Sequence, residues 1–136
     1  MTKSEIIQFL NQNPVCHLAT LENGRPRVRG MFMYRADEKG ILFHTGAGKS
    51  LPRQVQTGAL VEVCFNSPDV QVRVSGVAEV VEDPELKKEI VAARPFMQPW
   101  VAKHGLGLLV VFRIVRCEAA VWTMQTNFEP TVYQKI

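Results

Sequence analysis

The segment from Phe43 to Ser50 contains the residues best suited to bind a charged ligand. It lies between a predicted strand and a predicted helix start, where glycine-rich backbone leaves amides free to donate hydrogen bonds to an anion. Thr45 and Ser50 add hydroxyl groups, and Lys49 adds a positive charge. These groups predict a phosphate-binding loop, although an ordinary turn followed by a capped helix would contain the same residues.

The end of this segment, Gly48-Lys49-Ser50, also matches the end of the Walker A motif of nucleoside triphosphatases. That motif needs a glycine five positions before Gly48, and this chain has Phe43 there. No apolar run of the chain ends in an aspartate that would bind magnesium. We therefore expect no hydrolysis of nucleoside triphosphates.

Two arginines, Arg27 and Arg29, alternate with other residues on a second predicted strand. Side chains two residues apart lie on the same face of a strand, about 7 Å from each other. If a neighbouring hairpin strand brings one of them near Lys49, they form a fork suited to a phosphate or an anionic ring edge. Gly30 beside them would let a flat ligand approach the backbone.

Two further polar side chains, Gln71 and His44, belong to the candidate site. Gln71 is predicted to face outward from an alternating strand, and its amide can donate and accept hydrogen bonds, as a flavin ring edge requires. A solvated surface glutamine is the alternative. Histidine is the residue type whose unperturbed pKa lies nearest neutral pH, and we expect His44 to stack on a ring or bond to backbone rather than donate a proton. The pattern contains no Ser–His–Asp arrangement, so no catalytic residue is assigned.

The site residues must be positioned by a succession of short strands. Thr2 and Glu5 match a capping box, and Asn13-Pro14 ends the helix that they begin. Runs of β-forming residues bounded by turn signals predict strands, and these cover Val15–Leu21, Pro26–Tyr34, Ile41–Thr45, Ala59–Phe65, Val70–Val81, Leu108–Val115 and Ala119–Met124. The first three lie at hairpin spacing and predict an antiparallel meander. Gly76 predicts a bend within the fifth.

Helices and loops fill the remaining segments. A helix is predicted from Ser50 to Gly58, and another from Asp83-Pro84-Glu85 to Arg94-Pro95. The segment Pro95–Gly107 is predicted to be irregular, and the tail from Thr126 loose. Sequential hairpins around one core predict a mainly β protein, an antiparallel barrel with short helices at its ends, as a single domain over residues 1–136.

Composition excludes several classes of protein. Apolar residues make up 46% and charged residues 21% of the chain, which argues against intrinsic disorder. The net charge of +3 is too small to require nucleic acid as a partner. No apolar run approaches the roughly 18 residues of a membrane span, and the N-terminal segment is not a secretory signal, so we expect a cytoplasmic protein. The three cysteines are too scattered for a disulfide framework or a zinc site and are predicted to be small buried hydrophobes.

An ordered set of motifs resembles the pyridoxamine 5'-phosphate oxidase-like family of FMN-binding split barrels. The set comprises Gly24-x-Pro26-x-x-Arg29, Asp37 to Thr45, Gly48-Lys49-Ser50 and Gln71-Val72-x-Val74-x-Gly76. The resemblance covers roughly positions 1 to 82 and resumes from Val111 to Trp122, where the family has a strand that ends in a flavin-contacting tryptophan. It implies a split β-barrel of antiparallel Greek-key type that binds FMN.

The resemblance also implies which residues bind the cofactor. Lys49 matches a basic pair that binds the phosphate, and because its second member is Ser50 here, Arg27 is the candidate to replace the missing charge. The family forms homodimers with the flavin at the interface, which implies that Trp122 reaches the site of a partner subunit. The complete predicted set is Arg27, Arg29, Gly30, Met31, Phe32, His44, Thr45, Lys49, Ser50, Gln71 and Trp122.

One departure from the family pattern bears on the substrate. The true oxidase has an Arg-x-His pattern after its C-terminal tryptophan, and this chain has Thr123 to Asn127 without arginine or histidine there. We therefore expect an FMN-dependent oxidoreductase that acts on an unknown small molecule other than pyridoxamine 5'-phosphate. The alternatives are a flavin or haem carrier without turnover and a deazaflavin-dependent reductase.

Overall fold

A computed structural model describes residues 1–136, which form eight strands and four α-helices. The elements in chain order are α1 (Lys3–Gln12), β1 (Val15–Glu22), β2 (Arg25–Phe32), β3 (Arg35–Asp37), β4 (Gly40–Gly46), α2 (Leu51–Gln54), β5 (Leu60–Asn66), β6 (Val70–Val80), α3 (Pro84–Ala93), α4 (Gln98–His104), β7 (Leu109–Thr123) and β8 (Gln134–Lys135). Single 3₁₀ turns lie at Pro95–Met97, Leu106–Leu108 and Met124–Thr126. None of the helices is long and apolar enough to cross a membrane.

All strands join one antiparallel sheet in the order β2-β1-β5-β6-β7-β4-β3, with β8 paired to β7. The predicted mainly β fold is confirmed. Inward-facing side chains of β1, β5 and β6 alternate with outward-facing ones, and the inward set, together with Ile6 and Leu10 of α1, forms the main core. The capping box of Thr2 and Glu5 begins α1 as predicted.

The predicted three-strand meander is only partly correct. β1 and β2 form a hairpin around Asn23 and Gly24, whose φ angles are both positive, as a tight two-residue turn requires. β4 does not continue this hairpin and pairs with β3 and β7 instead. The physical reason is that Ile41, Leu42 and Phe43 are all buried, so β4 needs cover on both faces.

The two predicted C-terminal strands are one continuous strand, β7. The residues expected to separate them form a bulge, in which Arg116 adopts a φ of 53° opposite a register shift between Ser75 and Val77 of β6. One residue with a left-handed backbone absorbs the extra length, so the strand bends without ending. The bend predicted at Gly76 is confirmed.

Three other predicted boundaries differ from the structure. The segment predicted to be irregular contains α4 between two 3₁₀ turns, and the predicted loose tail returns to pair β8 with β7. α2 ends at Gln54, before the predicted stop at Gly58. In contrast, α3 begins and ends as predicted, because Asp83 accepts hydrogen bonds from two amides of its first turn and Pro95 follows its end.

Candidate cofactor site

The structure brings six of the predicted site residues into one cleft of about 490 Å³, here called the Lys49 cleft. That volume lies in the range of small-ligand sites. One wall is the end of β2 and another is the end of β4, and the 3₁₀ turns around α4 form the outer rim. The lining residues are Gly30, Met31, Phe32, His44, Thr45, Gly46, Lys49, Phe96, Met97, Trp100, Leu108 and Leu109.

The loop between β4 and α2 presents Lys49 to the cleft. Lys49 forms no ion pair, and its alkyl carbons lie 3.7–3.9 Å from the place where a side chain on Gly46 would begin. The amide of Ala47 donates to Leu108 and that of Lys49 to Gly46, whereas the amides of Gly48 and Ser50 donate to no backbone carbonyl. The loop therefore keeps one free cation and two free amides.

The helix that follows this loop contributes less than predicted. α2 is a single turn, and Ser50 at its N-cap position makes no side-chain capping hydrogen bond. Ser50 does not line the cleft either. The positive charge of Lys49, rather than a helix dipole, is the main attraction that the loop offers to an anion.

His44, which lines the cleft, has a ring nitrogen without a hydrogen-bond partner. Its Nε2 is buried and has no hydrogen-bond partner within the chain. Burial, with the charges of Arg94 and Lys49 nearby, lowers the pKa of His44 to about 4. The imidazole is therefore neutral at pH 7, and a ligand with a hydrogen-bonding edge would satisfy a group that otherwise carries a desolvation cost.

The cleft is electropositive. No acidic side chain lines it. The Arg94 guanidinium lies 4.2 Å from the centre of the Phe32 ring and donates a 3.0 Å hydrogen bond to the carbonyl of Met33. Sequence reasoning missed Arg94, which it treated only as part of a helix stop, because nothing local places the end of α3 beside β2.

The predicted arginine fork does not form in the structure. Arg27 pairs with Glu22, with 3.4 Å between Nε and Oε1. Arg29 donates to the carbonyl of Leu18 and the hydroxyl of Thr20, at 3.1 and 2.7 Å. Neither arginine lines the Lys49 cleft, because each is occupied by partners elsewhere, Arg27 by Glu22 and Arg29 by residues of β1 and α2.

Gln71 and Trp122 lie together in a second cleft of about 570 Å³, here called the Trp122 cleft. They are direct cross-strand partners on β6 and β7. The indole Nε1 of Trp122 donates to Asn127 at 2.9 Å. The two clefts share no lining residue. Along β7, Trp122 is eleven residues beyond Val111, the partner of His44, or about 35 Å of strand.

Comparison of the sequence with family models finds a match over residues 2–122 to the family described as pyridoxamine 5'-phosphate oxidase. The chain is also 31% identical over 88 residues to a pyridoxine/pyridoxamine 5'-phosphate oxidase of Shewanella pealeana. That match covers 62% of this chain and 42% of the relative, so the chain spans less than half of the relative's length.

Solved structures share the fold at low sequence identity. A NimC/NimA family protein from Clostridium acetobutylicum superposes with a TM-score of 0.76 at 20% identity, covering 98% of this chain and 92% of that one. The FAD and heme binding protein from Mycobacterium smegmatis gives a TM-score of 0.69 at 14% identity, covering 99% and 82%. The predicted split-barrel fold is confirmed.

Proposed function

The chain belongs to the pyridoxamine 5'-phosphate oxidase family, and from this premise we propose that it is an FMN-binding oxidoreductase that acts on a small molecule. The observation that carries the proposal is the Lys49 cleft, where an unpaired lysine, an unsatisfied imidazole nitrogen and an open glycine backbone lie together. These three features are what a phosphorylated, flat heterocycle needs from a protein.

The residues of the cleft fit the separate parts of FMN. Lys49 suits the phosphate, and the free amides of Gly48 and Ser50 lie next to it in the same loop, although neither residue lines the cleft. Gly30 has no atom within 4 Å of the position of a Cβ, which leaves room for a ring against the backbone of β2. The neutral His44 can share one hydrogen bond with a ring edge, since its pKa of about 4 keeps it unprotonated at pH 7.

We further propose that the protein works as a homodimer. Cross-strand register places Gly30 and Phe32 of the first cleft, and Gln71 and Trp122 of the second, on the same outward face of the sheet. The same face carries an exposed apolar surface, here called the outer sheet face, made of Val15, Leu21, Val28, Phe32 and Leu60. A second copy docked on this face would cover that surface and bring its own Trp122 cleft towards the Lys49 cleft.

FMN, when bound, supplies hydride or electron transfer, and the protein supplies position and surroundings. Lys49 would hold the phosphate, the end of β2 would support the ring, and the rim would exclude water. His44 does not serve as a proton donor at neutral pH, because its imidazole is already neutral. The only other titratable side chain that lines the cleft is Lys49.

The rim of the Lys49 cleft favours a flat, apolar substrate. Phe96 and Trp100 expose 67% and 61% of their surface, and both line the cleft with Met97. Large apolar side chains with such exposure are suited to contact with a ligand. The absence of lining acids disfavours a cationic substrate.

Replacing Lys49 by alanine tests the cofactor assignment. We expect FMN affinity to fall by roughly 10- to 150-fold, the loss of one charged hydrogen bond of about 1.5–3 kcal/mol. Riboflavin, which lacks the phosphate, should bind wild type weakly and be little affected by the substitution. Flavin fluorescence titration measures both affinities, and equal FMN affinity in the two proteins would contradict the assignment.

Pyridoxamine 5'-phosphate is not expected to be oxidised. Residues 123–127, directly after Trp122, include no cation, and the nearby Arg73 lies 3.9 Å from Glu62 and stacks on Tyr133. A substrate phosphate would therefore lack a counter-charge. The FMN-loaded protein is incubated with this substrate in air and aldehyde is measured. Turnover of about 1 per second would show that another base, such as Lys103 or Lys135, replaces the missing pair.

A haem carrier is the second candidate function. The observation that favours it is the neutral imidazole of His44, which lines a cleft with an apolar rim and whose buried Nε2 has no hydrogen-bond partner. One structural neighbour is described as binding both FAD and heme. An absorption spectrum distinguishes the candidates, because oxidised flavin absorbs broadly in the blue whereas haem gives a sharp band at shorter wavelength.

We place this function in the cytoplasm. Cys16, Cys64 and Cys117 are all free thiols, and none forms a disulfide. Burial raises the pKa of Cys16 to about 12 and that of Cys117 to about 11, so neither is a reactive thiolate. Thiols kept reduced fit a cytoplasmic environment.

A further inference from the structure

Gln54, the last residue of α2, is a buried polar side chain that the proposed cofactor site does not use. It is 5% exposed and makes three side-chain hydrogen bonds. Its Oε1 accepts from the Thr20 hydroxyl at 2.6 Å and from the Arg29 guanidinium, and its Nε2 donates to Glu22 at 2.9 Å. Every partner lies on the β1–β2 hairpin, so one amide ties α2 to both strands.

The partners of Gln54 are themselves held in place. Arg29 also donates to Thr20 and to the carbonyl of Leu18, and Glu22 also pairs with Arg27. The hydrogen bond from Gln54 holds the pKa of Glu22 below its ordinary value, so the carboxylate stays charged. The cluster is therefore a connected network with charges of both signs, and such networks fix one geometry when all their members are satisfied.

Two walls of the Lys49 cleft begin at this network. α2 follows Lys49 and Ser50 directly, and β2 continues from Arg29 into Gly30, Met31 and Phe32. β2 and β4 are not neighbours in the sheet, so no ladder of backbone hydrogen bonds sets the spacing between them. The Gln54 network supplies side-chain hydrogen bonds between β2 and α2, the helix that follows the Lys49 loop.

Apolar packing alone would be enough to hold α2 against the barrel. Leu51 and Val55 on either side of Gln54 are buried in the main core. A third apolar side chain at position 54 would anchor the helix without the cost of burying an amide. An amide at this position makes directional hydrogen bonds, which fix the distance and orientation of α2 relative to β2 more narrowly than apolar packing does.

We propose that Gln54 is a positioning residue that fixes the Lys49 loop against β2, so that the lysine and the β2 wall engage the phosphate and the ring of one ligand. The proposal rests on the proposed FMN function, because the phosphate of that ligand is what the loop would hold. Arg29, which was predicted to bind the ligand directly, acts in this arrangement through Gln54.

The experiment compares FMN and riboflavin binding by Gln54→Met, which keeps the length of the side chain and removes the amide. We expect FMN affinity to fall about tenfold, the loss of a hydrogen-bonded constraint, with riboflavin affinity unchanged. Gln56→Met is the matched control, because Gln56 lies just beyond α2 and its side chain bonds only to the carbonyl of Pro52. Thr20→Val, which removes one partner hydroxyl, serves if Gln54→Met does not fold.

A double substitution separates positioning from stability. If Gln54 acts through Lys49, then Gln54→Met weakens FMN binding in the wild type and has no further effect in Lys49→Ala. Equal losses for FMN and riboflavin, or additive losses in the double variant, would overturn the proposal. A wild-type protein that binds riboflavin as well as FMN would instead overturn the proposed phosphate site itself.

Discussion

Replacing Gly40 by alanine is expected to lower the free energy of unfolding by about 3 kcal/mol or more. Gly40 begins β4 with a φ of 127°, a backbone conformation that residues with a side chain rarely adopt. A Cβ there would lie 2.2 Å from the carbonyl oxygen of Ile114 and 3.0 Å from Cγ of Arg113, both on β7. Because the oxygen belongs to backbone, the strands themselves must move apart.

Substitutions at two other glycines distinguish the cost of the positive φ from the cost of the clash with β7. Gly24 has a φ of 76° with no atom within 4 Å, so Gly24→Ala carries only the conformational cost, about 1–2 kcal/mol. Gly107 has neither a positive φ nor a near atom, and Gly107→Ala should change stability by less than about 0.5 kcal/mol. Urea unfolding measures all three. A loss at Gly40 no larger than at Gly24 would show that β4 and β7 are not packed as described.

Replacing Val28 by aspartate is expected to convert the proposed dimer to monomers and to weaken FMN binding by roughly 100-fold or more. Val28 is 70% exposed on β2, the edge strand of the outer sheet face, so the substitution leaves the core of one protomer unchanged. In the proposed dimer the same position is buried against a second copy, where an unpaired carboxylate is costly. FMN binding weakens because the separated protomer no longer has the Trp122 cleft of a second copy next to its own Lys49 cleft.

The matched control is Ala92→Asp, which adds the same charge to an exposed position on α3 that is not one of the residues of the outer sheet face. Light scattering and flavin fluorescence on the same samples report mass and bound FMN. The dimer proposal fails if Val28→Asp keeps the mass of the wild type. It also fails if a monomer of Val28→Asp retains full FMN affinity.

The phosphate loop was predictable because its evidence is local. Lys49, Thr45 and the glycines are adjacent in sequence, and the strand before them needs no partner to be recognised. The same holds for the Asn23-Gly24 turn and for the Asp83 cap of α3, and these two predictions are confirmed. Residue type and spacing over a few positions decide such features.

Other parts of the site depend on which strands become neighbours. The apolar run Ile41-Leu42-Phe43 is compatible with a hairpin partner or with a central strand, and only the tertiary structure places it between β3 and β7. Arg29 lies outside the cleft because its guanidinium bonds to Leu18, Thr20 and Gln54, contacts that the local sequence does not show. The roles of Arg94 and Gln54 follow from contacts between residues 61 and 25 positions apart, which no local pattern encodes.

The rim of the Lys49 cleft belongs to the long connection between β6 and β7, which begins and ends at neighbouring positions of the sheet. β6 and β7 are paired up to Val80 and Phe112, and the amide of Val81 still donates to Val111. Residues 82–108 therefore form a connecting segment whose length and sequence do not set the register of any strand. The rim residues Phe96, Met97 and Trp100 all lie in this connecting segment. We expect that replacing this segment with a different one would change which substrate the protein accepts, while the Lys49 loop and the sheet keep their structure.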